Sequence, residues 1–143
     1  MKLDELRSNL KNLYGADLRQ DAPMRWRVEI RSGHGRSQVV HLMCKERAHD
    51  EKDESRIIAE SPIGPVLRRF NPDVVLRKNA ELDVGAICMN DLKNEEQMVI
   101  PYLTLRATHL LATLDVPELQ ELINKVGQVA DDLEEQIFAK DFH

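Results

Sequence analysis

The run Met98-Val99-Ile100-Pro101-Tyr102-Leu103-Thr104-Leu105-Arg106-Ala107 is strand-like, and a long amphipathic helix follows it from Asp115. Strands expose alternate residues to one face, whereas helices build an apolar stripe at steps of three and four. A chain with both patterns in succession must lay the stripe on a sheet. Asp115 and Glu118 stand at capping-box spacing, with Asp in place of the usual Ser or Thr. Leu119, Leu122, Ile123, Val126, Ala130, Leu133 and Ile137 form the stripe, and the helix is predicted to end near Ile137. Asp131, Asp132, Glu134 and Glu135 fall mostly outside it. Gly127 inside the helix costs about 1 kcal/mol relative to Ala, which suits a place of close packing.

The rest of the chain supplies the remaining strands. Leu3, Leu6, Leu10 and Leu13 make one face of a short N-terminal helix, ended by Gly15. From 25 to 31, Trp26, Val28 and Ile30 alternate with Arg25, Arg27, Glu29 and Arg31. That is a strand with one buried face, joined by a Ser32-Gly33-His34-Gly35 turn to a second strand over 38–46. The charged stretch 46–54 reads as an exposed loop or strand extension. A third strand over 55–60 is expected to stop at Ser61-Pro62-Ile63-Gly64-Pro65, because proline cannot donate to a ladder. Asn71-Pro72-Asp73 opens a short helix. A fourth strand spans Val84 to Met89, residues 90–95 form a polar turn, and a fifth strand runs from about Gln97 to Ala107. Pro101 inside that strand suggests an edge position or a bulge. The expectation is an α+β fold: a five-stranded, mainly antiparallel sheet with N-terminal, short middle and long C-terminal helices, in the order α-β-β-β-α-β-β-α.

At 143 residues the chain fits one domain. Its formal net charge is −5, so the basic footprint of a nucleic-acid binder is missing overall. Cys44 and Cys88 sit in apolar runs and read as small buried hydrophobes suited to a reducing compartment. No apolar run suggests a signal peptide or a membrane span, so a soluble, cytoplasmic protein without membrane partners is expected.

No motif nominates catalysis. The phosphate-cradling glycine loops and the Gly-x-Ser-x-Gly elbow are missing from the sequence. His49-Asp50-Glu51 with Asp53 and Glu54 groups metal-type donors, but ligands must converge on one point, and an acidic loop is the commoner meaning. Gly33-His34-Gly35-Arg36 could hold an anion or simply turn a hairpin. His41 lacks the positioned partner a general base needs. No metal, no cofactor and no enzyme activity are expected. Two partner-binding candidates remain open against plainer meanings. Arg25, Arg27 and Arg31 form either a solvated sheet face or a contact for an acidic partner. Leu3, Leu6, Leu10 and Leu13 either pack on the protein's own sheet or bind a partner.

Three stretches carry a family likeness: Ser61-Pro62-Ile63-Gly64-Pro65-Val66; Leu76-Arg77-Lys78-Asn79-Ala80-Glu81-Leu82-Asp83-Val84-Gly85-Ala86; and Tyr102-Leu103-Thr104-Leu105-Arg106-Ala107 followed by Leu114-Asp115. With the element order, they make residues 1–143 resemble a single domain of the type III secretion chaperone-like fold, within it the YbjN-like family. The resemblance implies a small acidic homodimer that binds proteins instead of turning over a substrate. In chaperones of this fold an extended client segment wraps the dimer, docking side chains in grooves and adding a strand to the sheet. By position, Val74, Val75 and Leu76 with Val84, Ala86, Ile87, Cys88 and Met89 correspond to the dimer interface. A strand apolar on both faces also needs cover on both, though the same residues could fill a monomer core. The reading is thus a chaperone-like or adaptor module holding a client protein. Its alternative is a regulatory interaction module that docks a folded partner on the sheet face.

Overall fold

The computed structural model describes residues 1–32, 35–49, 52–66 and 70–141. Its elements are α1 (Leu3–Tyr14), β1 (Leu18–Ala22), β2 (Arg25–Arg31), β3 (Ser37–Lys45), β4 (Ala48–His49), β5 (Lys52–Asp53), β6 (Arg56–Pro65), α2 (Pro72–Lys78), β7 (Ala86–Lys93), β8 (Val99–Leu110) and α3 (Val116–Asp141). The fold is α+β with three α-helices among the described residues. The main sheet is antiparallel throughout and has six strands in the order β1-β2-β3-β6-β8-β7, not the five expected. β4 and β5 pair separately as a small hairpin within the charged stretch.

The extra strand is β1. Leu-Arg-Gln-Asp-Ala shows no apolar alternation, because only its ends are half-buried. Pairing with β2 makes it a strand, and a bulge between Gln20 and Ala22 blunts that sheet edge. The expected β2–β3 pairing forms, with Trp26 opposite Leu42 and Val28 opposite Val40.

The prolines do not end β6 at Ser61. Pairing with β8 continues to Pro65 through a bulge between Pro62 and Gly64, while pairing with β3 stops at Glu60. Past that point side chains replace the ladder. Gln38 Nε2 donates to Ser61 Oγ and to the Pro62 carbonyl, both at 2.8 Å, and Ser61 Oγ donates to the Val39 carbonyl at 2.7 Å. Pro101 lies in an interior strand, not at an edge. Its carbonyl accepts from Val66 N at 2.9 Å, so its donor-less nitrogen also faces the β6 side, where the ladder is ending, and no bond to β7 is lost. The expected polar turn over 90–95 begins later, since Asn90–Lys93 extend β7. Asn94 Oδ1 builds the turn by accepting from Glu96 N and Met98 N.

All three helices cover one sheet face. Asp115 Oδ1 accepts from Glu118 N at 2.8 Å and Asn71 Oδ1 from Asp73 N at 3.0 Å, so both expected caps form. Leu119, Ile123, Val126, Ala130 and Leu133 of α3 are buried against Val28, Val40, Leu42, Ile57, Ala59, Leu103 and Leu105. Gly127 permits this approach: a Cβ there would overlap Ile30 and come within 3.0 Å of Val40 Cγ2. No helix among the described residues is long and apolar enough to cross a membrane.

Candidate protein-binding surfaces

The N-terminal leucines are engaged within the protomer. Leu6 and Leu10 are fully buried in the core, and Leu3 and Leu13 pack half-buried against it. Tyr14 Oη donates to Asn124 Oδ1 at 3.2 Å, tying α1 to α3, and burial pushes the phenol up to about 12. A partner could reach this stripe only by displacing the helix.

Among the described residues the opposite sheet face carries no helix. Arg25, Arg27 and Arg31 line it together with Glu29, as the alternation of β2 requires. Register brings further charges to the same face. Arg19, Arg27, His41, Glu60 and Arg106 form one cross-strand row over β1, β2, β3, β6 and β8. Lys45 and Arg56 are paired nearby. This row was hidden in the sequence, where its members lie far apart; only strand pairing unites them.

The ion pairing on this face is selective. Arg27 Nε meets Asp21 at 2.9 Å. Glu60, the cross-strand neighbour of both His41 and Arg106, is held otherwise: its Oε2 accepts from Asn90 Nδ2 and, at 3.0 Å, from Thr104 Oγ1. Among the described residues no carboxylate lies within 4.0 Å of the guanidinium of Arg25, Arg31 or Arg106. A depression of about 320 Å³ opens among Arg25, His41, Met43, Ile58, Glu60, Asn90 and Arg106. Desolvation there, followed by the charge of Arg27, holds the His41 imidazole below its ordinary value, while Asp21 and Glu60 pull it back up.

The residues assigned to a dimer surface divide between core and solvent. Val75 and Ile87 are buried in the core. Val84 and Cys88 are half-buried and Ala86 is exposed. Val74, Leu76 and Met89 are 54%, 64% and 54% exposed, close to Val99 at 61%. Met89 lies on the edge strand β7 and Val99 on its neighbour β8, and α2, which carries Val74 and Leu76, packs against β7. Asn79 sits on that edge: its Oδ1 accepts from Ile87 N at 2.6 Å and its Nδ2 donates to the Ile87 carbonyl at 3.5 Å. Ile87 therefore points its backbone polar groups outward, and by the two-residue repeat Met89 and Asp91 do too. Beyond Ile87 the edge has no backbone partner among the described residues.

Gly33, His34, Asp50 and Glu51, on which the anion and metal candidates are built, lie outside the described residues. Arg36 is committed to α3, with Nη2 3.0 Å from Asp131 and 3.2 Å from Glu135. Among the described residues no three His, Cys, Asp or Glu side chains converge as metal ligands do. Cys44 and Cys88 are free thiols on opposite sheet faces, each raised above its ordinary pKa chiefly by burial. A second depression, of about 450 Å³, lies between α3 and the segment after α2. Its lining sets Lys78 and Lys125 against Glu81, Asp83, Glu121 and Asp132, so carboxylates outnumber the cations.

No protein-family model matches this chain, and no curated protein matches it in sequence.

Proposed function

We propose that the chain is a non-enzymatic protein-binding module, a chaperone-like or adaptor protein that acts as a cytoplasmic homodimer and holds a segment of a client protein. This is the role the secretion-chaperone-like, YbjN-like resemblance implies. The observation that carries it is the β7 end of the sheet. Val74, Leu76, Met89 and Val99 stay exposed there beside a strand edge that, among the described residues, is unpaired past Ile87. Exposed apolar side chains next to open backbone donors and acceptors suit association with another polypeptide, because burial supplies affinity and the edge supplies direction. In this reading the β7 end joins two copies, and the helix-free face is left for the client.

Sedimentation equilibrium and a lysate pull-down test the proposal together. The chain is expected to sediment as a dimer at about 100 μM and Leu76→Glu/Met89→Glu as a monomer. The immobilised wild type is expected to retain a protein at low salt. A monomeric wild type at that concentration removes the dimer from the reading. Recovery of a small metabolite as the tightest species, with no protein, removes the binding class altogether.

A further inference from the structure

We infer that the helix-free face is a docking surface for an acidic, extended protein segment, anchored chiefly by Arg25 and Arg106. The inference rests on the proposed protein-binding role and specifies the chemistry of the client.

Charge is the first argument. The chain is negative overall, at −5, yet its bare sheet face gathers an excess of arginine over carboxylate. The carboxylates that are present do not neutralise the two anchors. Asp21 is committed to Arg27, and Glu60 is turned toward Asn90 and Thr104 although Arg106 stands directly across from it. Among the described residues exposed Arg25 and half-buried Arg106 thus keep guanidinium groups without a carboxylate partner around a depression also lined by half-buried Met43 and buried Ile58. A guanidinium fork matches a carboxylate in two parallel hydrogen bonds. Apolar atoms between the anchors exclude water and strengthen such contacts.

Spacing is the second argument. Arg25 and Arg106 stand on β2 and β8, with β3 and β6 between them. Three strand spacings plus a two-residue offset separate their backbones by about 15 Å. An extended segment covers that distance in about four or five residues at 3.4 Å each. The expected client motif therefore has acidic residues four or five positions apart, with small or apolar residues between them.

A nucleic acid fits less well. Glu29, Glu60 and Asp21 would oppose a continuous phosphate track, and Trp26 is turned into the core, leaving half-buried Tyr102 as the aromatic ring on this face.

The test is fluorescence anisotropy on the full chain, with a labelled peptide of about twelve residues carrying Glu at every fourth position among Ser and Val. Binding is expected at about 50 mM NaCl and is expected to weaken at least about ten-fold by 500 mM. Arg25→Glu/Arg106→Glu is expected to weaken it at least about ten-fold at low salt, with the folded state checked by circular dichroism. Should that variant fail to fold, Arg25→Ser on its exposed side chain serves, with an expected loss of about three-fold. The inference is overturned if the acidic peptide does not bind, if the arginine variants bind it as well as wild type does, or if the Lys-for-Glu peptide binds equally. Tighter binding of an oligonucleotide of the same length, or full competition by millimolar inorganic phosphate, overturns it too. If these tests fail while the chain still dimerises and retains a protein from lysate, the acidic-client inference falls and the proposed function stands.

Discussion

The two faces of the sheet are drawn from the same strands and have opposite economies. On β2, Trp26, Val28 and Ile30 are sealed beneath helices, while one residue away Arg25, Glu29 and Arg31 meet solvent. Under the helices, fit dominates: a glycine is needed for α3 to approach, and the polar groups there, Gln38 and Ser61, are fully engaged with each other and the backbone. On the bare face, charges are only partly neutralised and stability depends little on any one of them. The contrast places folding on one side and, in the proposed reading, recognition on the other.

Four measurements probe that division, and the first would break it most directly. Ile123→Ala removes a fully buried side chain at the centre of α3 and is expected to cost about 2–5 kcal/mol in urea unfolding. A loss below 1 kcal/mol would mean that the helix is not the seal described. Ser61→Ala leaves the Val39 carbonyl without its side-chain donor beneath the helices, for an expected loss of about 1–3 kcal/mol. Gly127→Ala sharpens the comparison through its sign. Helix propensity alone would stabilise by about 1 kcal/mol, but overlap with Ile30 and Val40 is expected to reverse this to a net loss of about 1 kcal/mol. A rise in stability would show that α3 sits farther from the sheet.

The smallest effect belongs to His41 on the bare face. Its folded-state pKa lies below the ordinary 6.5, so the unfolded chain takes up this proton first. The associated stability is complete above 6.5 and is lost as pH falls through the lower folded value. Solvent screening keeps the component to about half a kcal/mol at most. Urea midpoints for His41→Gln are expected to fall less steeply than wild type on acidification from neutral pH. Parallel curves for the two proteins would remove His41 as the source.

Elements whose signal is local were legible in the sequence. The caps of α2 and α3 and the alternation of β2 and β3 each lie within a few neighbouring residues, and all four formed as read. Elements defined by distant partners were not. β1 is polar along its length and is a strand only because β2 lies beside it. β6 outruns its prolines because each strand side is used separately, with β8 holding one while Gln38 takes over the other. The same reason limited the binding surfaces. Arg25, Arg27 and Arg31 were visible as one strand's outer face, but Arg19 and Arg106 joined them only through register. The residues assigned to a dimer surface were read as a block, whereas the turn of α2 sends Val75 inward and Val74 and Leu76 outward, and Ile87 and Met89 share one sheet face of which only the Ile87 part is covered.

Asn79 sets a boundary for anything that pairs with β7. Its amide already occupies both backbone groups of Ile87, so an incoming chain meets a doorstop there and must begin at Met89. Only the span from Met89 to Lys93 remains as a landing strip before the Asn94 turn. A guest strand therefore has one short frame in which to align, and a slide of one residue would point its inward side chains the wrong way.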